Sequence, residues 1–223
     1  MRLDSRRPHD GGGRIDVPAA ARWRRAGAVL LALALVAACG KSTPQLPRLG
    51  ANDTVLAFGD SLTYGTGARE EESYPAVLQG LIARPVVRAG FPGEVTEQGV
   101  QRLPALLEQY QPRLLLLCMG GNDMLQKIDP AATEANLRSM VRTARERGVA
   151  VVLIAVPKAE LFGGVAEVYA KLAAEFGIPL ENQVLKDVLY DRAYKSDQIH
   201  PNAEGYRKVA EAVAKLLRRA GAV

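Results

Sequence analysis

Two runs in this chain, Leu114 to Met119 and Ala150 to Val156, are apolar at every position. A strand wetted on one face alternates apolar and polar residues, so short unbroken runs fit strands covered on both faces. Amphipathic segments separate them. In Glu97 to Tyr110, the residues Val100, Leu103, Leu106, Leu107 and Tyr110 recur three or four apart, which is one face of a helix. Residues 131–147 predict a second helix, with a basic end at Arg142 to Arg147 and a stop at Gly148. Val165, Val168, Tyr169, Leu172, Ala173 and Phe176 mark a third, stopped by Gly177. Tyr206, Val209, Val213, Leu216 and Leu217 mark the last, with Asn202 as its N-cap. Residues 54–58, Val86-Val87 and Ile178-Pro179-Leu180 read as further strands, and a short helix begins at Tyr74-Pro75. Strands alternating with helices predict an α/β fold with a mostly parallel, doubly wound sheet. The 223 residues suffice for one well-buried domain.

The first forty residues follow a different rule. Arg22-Trp23-Arg24-Arg25 precedes thirteen small or apolar residues, Ala26 to Ala38. A bilayer-spanning helix needs roughly 20 apolar residues, so this run suits the core of a signal peptide. Its end, Val36-Ala37-Ala38-Cys39-Gly40, resembles the lipobox of bacterial lipoproteins, which implies cleavage before Cys39 and lipidation of that residue. Two or three acyl chains would hold the protein on a membrane of the cell envelope. Residues 1–38 are thus expected to be a lipoprotein signal peptide, 39–53 the lipidated cysteine with a tether, and 54–220 the folded domain. Seven arginines and three aspartates of the +5 formal charge fall within residues 1–38, leaving 22 basic against 21 acidic residues from Cys39 onward. The basicity belongs to the leader, and no nucleic-acid partner is expected. The second cysteine, Cys118, lies inside an apolar run and reads as a buried thiol.

Three polar clusters follow strands or precede a helix: Gly59-Asp60-Ser61, Gly120-Gly121-Asn122-Asp123 and Asp197-Gln198-Ile199-His200. The first two directly follow apolar runs and so share the carboxyl edge of a parallel sheet, where α/β folds bind ligands. The third precedes the last helix, in a loop able to fold back over that edge. Ser61 is the candidate nucleophile, and a free hydroxyl needs a base. His200 is the one histidine outside the leader, where His9 falls, and Asp197 sits three residues before it to orient the imidazole. Asn122 and the N–H groups of Ser61 and Gly93 are candidate oxyanion donors. Taken singly, each motif is equally ordinary turn or capping chemistry. A metal site at Asp60, Asp123 and His200 would be short of imidazoles.

In their order along the chain, Gly59-Asp60-Ser61-Leu62, Gly93, Gly120-Gly121-Asn122-Asp123 and Asp197-Gln198-Ile199-His200-Pro201 resemble the successive blocks of the GDSL, or SGNH, hydrolases. The likeness runs from about Asn52 to Leu217. Gln98 to Leu107, with Gln111-Pro112-Arg113, is similar to the bacterial acyl-CoA thioesterase, arylesterase and lysophospholipase subgroup. The resemblance implies a flavodoxin-like three-layer sandwich and a serine hydrolase of esters or thioesters without a cofactor. It implies Ser61 as nucleophile, His200 as base and acid, Asp197 as its orienting carboxylate, and an oxyanion hole of Ser61, Gly93 and Asn122. A small-molecule ester or thioester substrate and a monomeric enzyme are expected. Two departures stand out: Arg88 where relatives commonly carry asparagine, with Gly90 as a rival to Gly93, and a short loop from Pro157 to Gly164. Tyr64, Phe91, Leu125, Leu161 and Phe162 are candidates to line an acyl pocket. The alternatives are an esterase removing acetyl groups from cell-wall or extracellular carbohydrate, a metal-dependent phosphoesterase, and a non-catalytic lipoprotein binding module.

Overall fold

The computed structural model describes residues 43–158 and 167–223. Five strands, β1 (Val55–Gly59), β2 (Val86–Gly90), β3 (Leu114–Cys118), β4 (Ala150–Ile154) and β5 (Leu180–Glu181), form one sheet in the order β2-β1-β3-β4-β5. Every neighbouring pair is parallel. Both β1 and β3 are buried along their whole length, which is why neither alternates.

The helices among the described residues are α1 (Ser61–Tyr64), α2 (Tyr74–Ile82), α3 (Thr96–Tyr110), α4 (Gly121–Leu125), α5 (Pro130–Glu146), α6 (Glu167–Phe176), α7 (Val184–Tyr190) and α8 (Ala203–Arg219). On one side of the sheet α2 and α7 pack against α8; on the other α3 packs against α5. The Arg138–Glu175 pair, 2.9 Å, joins α6 to α5 on that second side. The result is the expected α/β/α sandwich. Asn202 caps α8 by accepting a hydrogen bond from the Gly205 N–H at 3.0 Å, and its apolar stripe is buried.

Several elements differ from the sequence reading. The stretch read as a tether through Asp53 is partly docked. The N–H groups of Leu46 and Leu49 donate to the carbonyls of Ala220 and Ala222, each at 2.8 Å, and Leu49 is buried. Two isolated leucines in a proline-rich stretch have no period, so only the partner segment gives them a place to pack. The compact unit accordingly runs from Thr43 to Val223 rather than 54–220. Strand β2 extends to Gly90, and β5 begins two residues later and ends one residue later than expected, on Leu180–Glu181. Helix α7 leaves no sequence signal because it buries only Leu185 and Val188, too few to set a period. Cys39, Val165, Leu161 and Phe162 lie outside the described residues.

The strand order fixes where a ligand can sit. Connections from β1 and β3 leave in opposite senses along the sheet, and such a reversal opens a crevice at the carboxyl ends of the two strands. Gly59 is in register with Cys118, so the polar clusters after β1 and β3 emerge side by side.

Candidate active site

Ser61 is the first residue of α1, and the geometry begins with its neighbour. Asp60 caps the helix: its Oδ1 accepts the Leu62 N–H at 3.0 Å. This tight strand-to-helix junction turns Ser61 over the sheet edge. There its Oγ lies 3.0 Å from Nε2 of His200, although 139 positions separate the two in sequence. The histidine arrives on a folded-back loop, closed by an antiparallel bridge between Lys195 and Pro201 and by the Ser196 N–H donating to the His200 carbonyl at 3.0 Å.

Asp197 does two jobs in that loop. Its Oδ1 accepts the N–H groups of Ile199 (2.8 Å) and His200 (2.9 Å), and its Oδ2 lies 2.8 Å from Nδ1 of the His200 ring. A carboxylate can only accept, so Nδ1 carries the proton and Nε2 is left to accept from the Ser61 hydroxyl. Partial burial pushes the Asp197 carboxyl up, but the Ile199 N–H, the His200 ring and the His200 N–H outweigh it and hold the group below the usual carboxylate range. Asp197 therefore stays ionised beside the His200 ring.

The candidate oxyanion donors gather on the other side of Ser61. The sequence Phe91-Pro92-Gly93-Glu94 forms a turn closed by the Glu94 N–H donating to the Phe91 carbonyl at 3.2 Å. Proline at the first central position and a glycine with φ +80° at the second are what a type II turn requires. The Gly93 N–H has no acceptor among the described residues. Asn122, on α4, donates from Nδ2 to the Glu94 carbonyl at 2.9 Å, with a longer contact of 3.4 Å to Asp60 Oδ2. Gly90, the rival to Gly93, has a packing reason instead: a Cβ there would fall 2.1 Å from the Tyr64 backbone nitrogen, so α1 could not rest on β2. Arg88 donates to the Tyr64 carbonyl (2.6 Å) and pairs with Glu70 (2.9 Å), holding the loop after α1.

A cleft of about 440 Å³ opens beside this cluster, lined by Ser61, Leu62, Asn122, Met124, Leu125, Val156, Pro157, Leu189, Tyr190, Ile199 and His200, with Lys158, Arg192 and Lys195 among its polar walls. Leu125 takes the expected place. Tyr64 and Phe91 do not: Tyr64 lies beneath the Arg88 guanidinium, 4.8 Å from it, and Phe91 is exposed. A strand-edge aromatic looks the same in sequence whether it turns inward or outward.

Asp60 is buried below the site, and burial pushes its carboxyl up to about 7 despite the Leu62 N–H and the charge of His200, while Asp123 raises it further. Burial likewise pushes the Cys118 thiol up, so the sulfur stays protonated and unreactive. Asp123 is turned away from His200. It accepts the Thr96 N–H at 2.9 Å, the Thr96 hydroxyl, and the Thr133 hydroxyl at 3.3 Å, which fastens α4 to α3 and α5. Among the described residues no group of three or more His, Cys, Asp or Glu side chains is placed to hold a metal ion. The sequence reading missed Glu94 and Arg102, which lie under the oxyanion side. Only the placement of Arg102 inside a segment similar to the thioesterase subgroup pointed at it.

This arrangement can deprotonate a hydroxyl, hold the proton on an imidazole, and present N–H donors to a developing negative charge. Comparison with known proteins gives the family. Residues 57–208 match the family model described as GDSL-like lipase/acylhydrolase. The chain is 34% identical over 179 residues to thioesterase 1/protease 1/lysophospholipase L1 of Escherichia coli K12, covering 77% of this chain and 86% of that protein. It is 30% identical over 184 residues to the esterase TesA of Pseudomonas aeruginosa, covering 78% and 92% of the two chains. The crystal structure of TesA superposes with a TM-score of 0.71 at 30% identity, covering 75% of this chain and 99% of that one.

Proposed function

The chain belongs to the GDSL-like lipase/acylhydrolase family and is a serine hydrolase of esters and thioesters; from that premise we propose that it works through an acyl-enzyme on Ser61. The observation that carries this reading is the relay from Asp197 Oδ2 to His200 Nδ1 (2.8 Å) and from His200 Nε2 to Ser61 Oγ (3.0 Å) at the wall of the cleft.

In the acylation step Ser61 Oγ bonds to the carbonyl carbon as His200 Nε2 takes the hydroxyl proton. The carbonyl π pair moves to oxygen, and that oxyanion is met by the N–H groups of Ser61 and Gly93 and by the Asn122 amide. Collapse re-forms the carbonyl and breaks the bond to the leaving alkoxide or thiolate, which receives the proton from His200. Water then repeats the sequence: His200 removes its proton, the oxygen attacks the acyl carbon, and Ser61 leaves as its hydroxyl with the proton returned. Asp197 keeps its charge throughout and stabilises the imidazolium. No step requires a cofactor.

Ser61→Ala is the test. Turnover of a short p-nitrophenyl ester should fall to background while the melting temperature stays within a few degrees of the parent. Retained turnover would overturn the assignment. A thioester, with acyl-CoA as the probe, and a lysophospholipid are the substrates to profile first, since the Escherichia coli relative is named a thioesterase and a lysophospholipase. Export and anchoring through lipid on Cys39 complete the reading, supported by the segment Val36-Ala37-Ala38-Cys39-Gly40. Cys39→Ser should move the protein from the membrane fraction to the soluble fraction of the envelope; unchanged partition refutes the anchor.

A further inference from the structure

Arg102 has no role in the chemistry just described, yet its side chain makes four hydrogen bonds at the oxyanion side of the site. It projects from α3. Its Nε donates to Glu94 Oε1 at 2.6 Å, and one terminal nitrogen donates to Glu94 Oε2, a two-toothed grip on a carboxylate that is only 5% exposed. The same terminal nitrogen reaches the Gly59 carbonyl at 3.2 Å, and the other donates to the Ala89 carbonyl at 3.1 Å. The guanidinium lies 4.2 Å above the Phe58 ring. One cation thus joins the carboxyl ends of β1 and β2 to Glu94.

Glu94 is the residue through which that grip reaches the donors. Its N–H closes the turn that presents Gly93, and its carbonyl accepts the Asn122 Nδ2 hydrogen bond at 2.9 Å. The Gly59 carbonyl, two residues before Ser61, also takes the Phe91 N–H at 3.0 Å. All three candidate donors are therefore referenced to one guanidinium: Ser61 through the end of β1, Gly93 through its turn, and Asn122 through the Glu94 carbonyl. Gly93 has no side chain to anchor it and faces open space where a Cβ would stand, so the direction of its N–H rests on the backbone hydrogen bonds of Phe91 and Glu94. A grip on Glu94 fixes one end of that turn. A buried ion pair seldom adds net stability over an apolar pair of the same size, so stability alone gives this pair little reason to exist. Geometry gives it one: the planar fork fixes direction as well as distance.

We propose that Arg102 is a positioning residue of the oxyanion hole, acting through the Glu94 carboxylate to hold the Gly93 N–H and the Asn122 amide where charge develops on the substrate. The proposal rests on the reading of Ser61 as nucleophile. Its signature is a loss in kcat without a matching change in KM, because a misdirected donor matters only once the carbonyl oxygen has become negative.

The experiment compares Arg102→Lys, Glu94→Gln and the double variant Arg102→Met/Glu94→Gln, which leaves no buried carboxylate unpaired. Each is measured for kcat and KM on p-nitrophenyl butyrate, for melting temperature, and for inhibition by an alkylboronic acid that forms a tetrahedral anion on the nucleophile. Losing one well-aimed donor costs on the order of 10²–10³ in kcat. The double variant should lose roughly 30- to 100-fold in kcat with KM within about twofold, and boronate inhibition should weaken in parallel. Arg102→Lys, which keeps charge but not the fork, should fall between the double variant and the parent. A double variant with parental kcat and boronate affinity overturns the proposal, as does a loss confined to KM. Should the double variant not fold, Glu94→Gln alone decides, since it preserves size and one acceptor. A several-fold drop in kcat supports the clamp, and parental kcat refutes it. Asn122→Ala run alongside separates the two layers of the argument. If it too has parental kcat, the oxyanion reading fails; if it loses kcat while the Arg102 and Glu94 variants do not, only the clamp fails.

Discussion

Asp60 is only 2% exposed and sits beneath Ser61, with one oxygen on the Leu62 N–H (3.0 Å) and the other 3.4 Å from the Asn122 amide. Burial pushes its carboxyl from 3.8 to about 7, the largest opposing influences being the Leu62 N–H and the charge of His200. The sign follows from which state holds the proton. Between pH 4 and pH 7 the folded chain keeps it and the unfolded chain has released it, so this group's contribution to stability is present in acid and is lost as pH rises through about 7. A tenfold difference in proton affinity between the two states is worth about 1.4 kcal/mol, and between pH 5 and pH 8 the loss amounts to roughly 2–3 kcal/mol. Asp60→Asn removes the ionisation while keeping an acceptor for the Leu62 N–H. Urea unfolding followed by far-ultraviolet circular dichroism at both pH values gives the stability of each protein. The variant should gain on the parent by roughly 2–3 kcal/mol between pH 5 and pH 8. His200 and Asp123 are the charged groups that act on Asp60, so the difference between variant and parent is the quantity to read. If that difference is the same at both pH values, Asp60 does not titrate in this window and the account of its burial is wrong.

Asp197→Asn would present an amide to Nδ1 of His200 and favour the wrong tautomer; kcat should fall by about 10²- to 10⁴-fold, read on a short ester, toward the smaller end because Asp197 is 51% exposed. Gly90→Ala places a Cβ 2.1 Å from the Tyr64 nitrogen and should destabilise the fold by about 1–3 kcal/mol in urea titration. Gly93→Ala meets nothing within 4 Å but carries φ +80°, so about 1–2 kcal/mol of left-handed strain is its whole expected cost. Leu49→Ala, in the docked arm, should cost about 2–3 kcal/mol, and a truly free tether would show no change in melting temperature.

Much of this protein is legible in its sequence because the relevant signals are local. The unbroken apolar runs of β1, β3 and β4 state that both sheet faces are covered, and the 3.6-residue stripes of α3, α6 and α8 state which sides cover them. Ser61, Asn122, Asp197 and His200 can be named because small polar residues directly after a buried strand, or just before a capped helix, have few places to go but the sheet edge. Local signals end where partners are distant. Leu46 and Leu49 have no period and gain their burial from Ala220 and Ala222 at the other end of the chain. Glu94 and Arg102 read as two ordinary charges on a turn and a helix; only the stacking of α3 over β1 and β2 turns them into one clamp. Nor does any residue of the loop before α8 reveal that His200 comes within 3.0 Å of Ser61. Residue order alone dictates the longer elements, the layers and the chemical inventory. Distance and direction come from the packed fold, because a hydrogen bond across 139 residues depends on strand order and loop closure, which no short window of sequence encodes.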